Sequence, residues 1–169
     1  MNCPKCAANA DEWAYDDGKR HYTARSNGER VREWMQDVGQ STPEAPQIPD
    51  LETARLRYKL LSEEAEEACD ELDVLSMNID MGANQEFILR DMRKAGKEMA
   101  DVLVVAYGGL VALGLDPDEV FAYVMEENEA KTEHAVDRGD GKRVVPPDVK
   151  ENLKAETKAK LERLVEGAG

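Results

Sequence analysis

Two stretches of this sequence carry carboxylates at a spacing that suits a hard cation. In Glu63-Glu64-Ala65-Glu66-Glu67 a helix would set Glu63 and Glu67 about 40° apart and one turn separated. With Glu63 as zero, Leu61, Ala65, Ala68, Leu72 and Leu75 cluster at roughly 120–200°. Glu64 falls near ~100°, at the margin of that apolar stripe, where partial desolvation raises a carboxyl pKa unless a cation compensates. Glu66 points outward. Further on, Glu98 and Asp101 share a face and lead into Val102–Leu115, an uncharged run. A helix apolar all round is expected to be buried, so the carboxylates where it starts should face protein. A charge run by itself usually only solubilises, and the second pair is what shifts the balance toward a site. On antiparallel helices, E-E-x-x-E and E-x-x-D would gather four or five carboxylates around one or two cations. An oxygen-only set suits Mg²⁺ first and Mn²⁺ next, whereas Zn²⁺ wants His or Cys. A di-iron bundle needs Glu-x-x-His, and here the residue three before His134 is Lys131, while the other histidine is His21.

Cationic and amide groups appear downstream. Val120, Val124, Asn128, Lys131 and Ala135 fall within about an 80° stripe, so an apolar face turns polar at Asn128 and Lys131 near its end. These two are candidates to meet a sugar and phosphates, with a Lys131–Glu127 surface pair as the plain alternative. Lys142 and Arg143, in a Gly-containing loop, offer further positive charge for leaving phosphates.

The elements that must position these groups are helices. The pattern predicts helices over 27–38, 51–75, 85–113, 117–136 and 147–166. Pro43, Pro46 and Pro49 mark 40–50 as an extended linker, and Asn78, Asp80, Gly82 and Asn84 give 77–84 a turn composition that makes the second and third helices an antiparallel hairpin. Asp116-Pro117-Asp118-Glu119 is a helix start with Asp116 as cap and Glu119 returning a capping box. The expected fold is all-α, a four- to five-helix bundle with no sheet of consequence. Residues 1–26 form an irregular extension, 27–150 the main domain, and 151–169 a last helix on the domain or a partner subunit.

Composition narrows the function classes. A net charge of −14 argues against holding a nucleic-acid backbone, and an acidic protein that binds polyphosphate needs metal cations between. Aromatic content of 5% disfavours sheet. The uncharged run is 14 residues, short of the roughly 20 that a membrane helix needs. Nothing at the N-terminus resembles a secretory signal, so a soluble cytoplasmic protein is expected, with no membrane partner. Three cysteines do not suggest a disulfide framework there.

Taken in order, Glu63-Glu64-x-x-Glu67 and Glu98-x-x-Asp101 resemble the all-α nucleoside triphosphate pyrophosphohydrolases of the MazG type. The similarity covers roughly residues 28–150. It includes Val-Arg-Glu-Trp with Gly39, the proline-bearing linker, Leu-Leu-Ser-Glu-Glu, Leu-Gly-Leu-Asp-Pro-Asp-Glu-Val-Phe, Asn128-x-x-Lys131 and Asp140-Gly141-Lys142, which are similar to the subgroup with dUTP-hydrolysing enzymes. The resemblance implies Glu63, Glu67, Glu98 and Asp101 as metal ligands, Glu64 as the base activating water, and Asn128, Lys131 and Lys142 as nucleotide contacts. It implies two or more Mg²⁺ or Mn²⁺ ions, cleavage of a (deoxy)nucleoside triphosphate to monophosphate and pyrophosphate, and a homodimer or homotetramer. Gly108 and Gly109 in mid-helix allow close helix approach, with a second subunit as one candidate neighbour. Trp34 is the candidate for stacking on the base, against a plain core position. The base itself stays open between dUTP and a purine such as dGTP.

Cys3-Pro4-Lys5-Cys6 lies outside that pattern and has the form of half a zinc knuckle; His21, Cys69 and His134 are the other candidate ligands, and Zn²⁺ there is the weaker expectation. Trp13, Tyr15, His21 and Tyr22 give the extension an aromatic content suited to lying over a base. The alternative function is a non-catalytic acidic helical interaction protein, antitoxin-like or a nucleic-acid mimic, with the carboxylates acting only electrostatically.

Overall fold

The computed structural model describes residues 15–16, 19–20, 25–139, 142–166 and 168. The pair Cys3 and Cys6, with Trp13, His21 and Tyr22, lies outside the described residues, as do Asp140 and Gly141. Among the described residues five helices make up the fold: α1 Asn27–Asp37, α2 Leu51–Asp80, α3 Gln85–Ala112, α4 Pro117–Glu133 and α5 Pro147–Val165. Strand is confined, among the described residues, to two antiparallel two-stranded ladders. In one, β1 (Tyr15–Asp16) pairs with β2 (Lys19–Arg20); in the other, β3 (Val136–Asp137) pairs with β4 (Arg143–Val144). The all-α expectation therefore holds.

Helices α1 to α4 each begin where a side chain takes up orphan backbone N–H groups, whereas α5 starts behind Pro146 without a side-chain cap. Ser26 accepts from Glu29 N at 3.1 Å while the Glu29 carboxylate accepts from Ser26 N at 2.7 Å, closing a capping box on α1. Asp50 caps α2 through Thr53 N at 2.6 Å, a bond that holds its pKa below the usual carboxylate value. Asn84 caps α3 through Phe87 N at 3.1 Å. Asp116 caps α4 as expected, but Glu119 does not return the box; its carboxylate accepts from the Tyr123 hydroxyl at 2.6 Å instead.

Helix α2 runs to Asp80, past the predicted end at Leu75. The turn chemistry of that stretch was overridden by a tertiary bond: Asn78 donates through Nδ2 to Asp91 on α3 at 2.6 Å, which rewards a helical Asn78. The reversal is left to Met81–Asn84, with Gly82 at φ +66°. Helix α4 stops before the predicted Val136, because Val136 and Asp137 pair with β4.

Helices α2 and α3 form a long antiparallel hairpin, α1 packs on α3, and α5 packs on α4. Fully buried apolar side chains are few: Met35, Val111 and Ala112 form one cluster with Val31 against it, and Ala68 and Ala95 lie in the hairpin seam. Gly108 serves this interior, since a Cβ there would sit 3.2 Å from Arg57 Nη1 and 3.4 Å from Met35 Sδ, whereas a Cβ on Gly109 would meet nothing. Gly114 ends α3 at φ +72°, and a Cβ on it would overlap the Ala45 carbonyl, so only glycine lets the 40–50 linker pass this close.

The expected burial of Val102–Leu115 holds for only part of the run. Val111 and Ala112 are inaccessible, but Leu103 is 61% exposed and Val104 38%. Helices α1 and α2 cover two flanks of α3 and leave the third open. No single helix among the described residues is long and apolar enough to cross a membrane.

Candidate metal centre

The hairpin brings the two carboxylate motifs together across its seam. One oxygen each from Glu64, Glu67 and Glu98 lies within 4.8 Å of the other two. The antiparallel register that does this is pinned on one side by Arg57 against Gly108 and on the other by Lys94 Nζ to Glu71 Oε1 at 3.2 Å. Glu98 is only 15% exposed and Asp101 37%. Asp101 stands close enough to act on Glu64 electrostatically but is not one of the converging three. Glu63 is about half exposed and pairs with Lys59 at 3.5 Å, outside the cluster.

The electrostatics are those of a site short of positive charge. Desolvation pushes the Glu64 pKa up, and the charges of Glu67, Asp101 and Glu98 push it further; only Lys97 opposes them. Lys97 Nζ lies 2.8 Å from Glu98 Oε2 and 2.8 Å from Asp101 Oδ2, and these bonds raise the Lys97 pKa well above the usual lysine value.

The donors fit a hard divalent cation. Oxygens bound to one Mg²⁺ at about 2.1 Å stand at most about 4.2 Å apart, a small contraction from the spacing here. The ammonium already bridging Glu98 and Asp101 shows that a cation is accommodated beside them. Glu67 and Glu98 would hold such an ion, with Glu64 in the same cluster and Asp101 adjacent.

The remaining candidates lie elsewhere in the chain. Among the described residues no contact joins α4 to α2, so Asn128 and Lys131 are not brought to the carboxylates within one chain. Lys131 is paired with Glu127, the plain alternative foreseen for it, and donates to Asn128 Oδ1 at 3.2 Å. That ion pair and a bond from Thr157 of α5 depress the Glu127 pKa. Lys142 is exposed just before β4, and its backbone carbonyl accepts from Arg138 N at 2.9 Å. Arg143 is committed to the end of α4, donating to the carbonyls of Thr132 at 3.2 Å and Ala135 at 2.7 Å, a favourable use of a cation at a helix C-terminus. Trp34, half exposed, lines a cavity of about 610 Å³ between α1, α3 and α4, together with Tyr107, Leu103, Phe121, Asn27 and Arg30; none of the carboxylates lines it.

Two polar features escaped the sequence argument. Lys97 carries a local signal, its i,i+4 spacing to Asp101, but that spacing alone does not distinguish a site residue from an ordinary surface pair. The Asn78–Asp91–Arg90 group depends on the helical course of Asn78 and left no local signal.

The chain is all-helical, and three acidic side chains that could hold a metal ion converge across its long hairpin. Residues 31–128, more than half of the chain, match the phosphoribosyl-ATP pyrophosphohydrolase family, and the chain belongs to that family within the MazG-like all-α nucleoside triphosphate pyrophosphohydrolases. The match spans Glu63, Glu64, Glu67, Glu98, Asp101 and Asn128, and stops short of Lys131 and Lys142. Membership supports hydrolysis of a phosphoanhydride in a nucleotide-like substrate. No curated protein matches the chain.

Proposed function

We propose that the protein is a Mg²⁺- or Mn²⁺-dependent hydrolase that cuts a (deoxy)nucleoside triphosphate into the monophosphate and pyrophosphate, in control of the cytoplasmic nucleotide pool. The observation that carries this is the convergence of Glu64, Glu67 and Glu98 within 4.8 Å in a member of a pyrophosphohydrolase family. Both facts favour an enzyme over a non-catalytic acidic interaction protein.

When bound, divalent cations would neutralise the polyphosphate and make an attached water more acidic. Glu67, Glu98 and Asp101, with Glu63 turned from Lys59, supply the negative charge that holds them. Glu64 is the base. Its pKa, raised by desolvation and like charges, makes it a stronger proton acceptor than an ordinary carboxylate. Water oxygen bonds to the α-phosphorus as the α–β bridging bond breaks, Glu64 receives the water proton, and pyrophosphate departs with the bridging oxygen. Without cations the five carboxylates would repel the substrate.

The nucleotide roles assigned to Asn128, Lys131 and Lys142 require α4 and the β3–β4 hairpin to reach the seam between α2 and α3. A neighbouring copy in a homodimer or homotetramer does this in our proposal. Support comes from the large apolar side chains left open on one chain, among them Leu103 at 61%, Phe121 at 54% and Trp34 at 49%. dUTP is the first substrate to try and dGTP the second, with Trp34 as the candidate base contact. A panel of all canonical ribo- and deoxynucleoside triphosphates with Mg²⁺ or Mn²⁺, assayed for pyrophosphate against phosphate, tests the proposal. Pyrophosphate from one or a few of them is expected; release of orthophosphate only, or no cleavage of any, would sink it.

A further inference from the structure

Lys97 occupies an unusual position for a surface lysine. Its side chain is 64% exposed, yet its ammonium is not left to water. Nζ is held at 2.8 Å by Glu98 Oε2 and at 2.8 Å by Asp101 Oδ2, and Glu98 is one of the three carboxylates that converge across the seam. Among the described residues, ion pairs to the five neighbouring carboxylates (Glu63, Glu64, Glu67, Glu98 and Asp101) come from Lys97, to Glu98 and Asp101, and, at the edge, from Lys59, to Glu63. Glu67 on the same helix and Glu98 across the seam crowd Glu64, and the charge of Lys97 opposes them.

A lysine so placed would not coexist comfortably with a divalent cation on the same oxygens. Two unlike roles can be separated on physical grounds. A lysine that serves only the phosphates would leave the nucleotide-free site indifferent to its loss. A lysine that neutralises the carboxylates competes with the metal for them, and its loss makes the empty site less stable and the metal tighter. The two bonds to Glu98 and Asp101 favour the second role.

We propose that Lys97 is a tethered counter-ion: it bridges Glu98 and Asp101 while the site holds no metal, and it swings out as a divalent cation takes its place. It is a positioning residue, holding the two α3 carboxylates toward one another in the metal-free protein and setting the threshold of metal concentration at which the site loads. The long flexible stem of lysine suits this exchange, since release into solvent costs little for a side chain already mostly exposed. The inference rests on the metal site assigned under the proposed function.

The test is Mn²⁺ binding to the full-length, nucleotide-free protein, followed by electron paramagnetic resonance of the free ion, for wild type and Lys97→Met, which keeps the stem and removes the charge. A unit charge close to a dication predicts that Lys97→Met binds Mn²⁺ more tightly by about three- to tenfold at low salt, with the gap narrowing as salt rises. Thermal melts supply a second readout: Lys97→Met melts lower than wild type in a chelator, and the difference vanishes in saturating Mn²⁺. Equal or weaker Mn²⁺ binding by Lys97→Met, or a melting difference that saturating Mn²⁺ does not remove, overturns the counter-ion role while leaving the metal site standing. If neither protein binds Mn²⁺, the metal site fails and the counter-ion role with it.

Discussion

The seam between α2 and α3 contains two groups of acidic side chains, and they are treated in opposite ways. Near the turn, Asp91 is inaccessible to solvent but fully matched: Asn78 Nδ2 donates to one oxygen at 2.6 Å, and Arg90 Nε and Nη2 donate to the other at 2.9 and 2.8 Å. These partners outweigh burial and hold its pKa below the usual carboxylate value. At mid-hairpin, Glu64, Glu67 and Glu98 are less buried and yet poorly matched, and the Glu64 pKa moves up. Burial alone therefore does not mark the functional carboxylate. The closed group near the turn fixes the hairpin; the mid-hairpin group carries more negative charge than Lys97 offsets, which favours an added cation.

Substitutions that act on one group and spare the other test this contrast. The largest effect is expected from Glu98→Gln, which removes a ligand charge: Mg²⁺-dependent turnover should fall about a hundredfold or more and added Mg²⁺ should no longer raise the melting temperature. A Glu98→Gln protein with near wild-type turnover would break the assignment. Asp91→Ala should do the reverse, lowering the melting temperature by roughly 5–10 °C because Arg90 and Asn78 lose their acceptor, while Mn²⁺ affinity stays within about twofold of wild type. Loss of metal binding without loss of stability would show that the two groups are not separate.

A smaller effect, of opposite sign at the two places, is expected from pH in a chelator. Asp91 has a depressed folded pKa, so its stabilisation is present above the ordinary carboxylate pKa and is lost as pH falls through the folded value. Glu64 has a raised folded pKa, so its contribution is most favourable below the ordinary glutamate pKa and is lost as pH rises through the folded value. Melts across pH 4 to 7 should therefore show Glu64→Gln more stable than wild type near neutrality and converging with it at the acid end. The gap between Asp91→Ala and wild type should instead narrow on acidification.

Most of the helical frame was legible because its signals are local: proline and glycine punctuation, cap residues, and apolar period gave the five helices to within a few residues. The longer α2 was not, since Asn78 is a turn former in isolation and a helical residue only because Asp91 waits across the seam. The facing of the two carboxylate motifs followed from the hairpin. What could not be read was how the charges distribute once there: Glu63 turned to Lys59 and Asp101 held by Lys97. Those choices depend on which side chains converge in three dimensions. The apolar character of Val102–Leu115 was plain, but its partial exposure was not, because periodicity reports that a face seeks cover and not which chain provides it.

The central claim is that the mid-hairpin carboxylates perform chemistry on a metal-bound nucleotide, with Glu64 as base. Pyrophosphate release from the preferred triphosphate, measured at saturating Mg²⁺ for wild type and for Glu64→Gln shown to be folded and still able to bind Mn²⁺, addresses it most directly. A loss of at least about a hundredfold in turnover with the metal retained is expected. Undiminished pyrophosphate release by Glu64→Gln would contradict it.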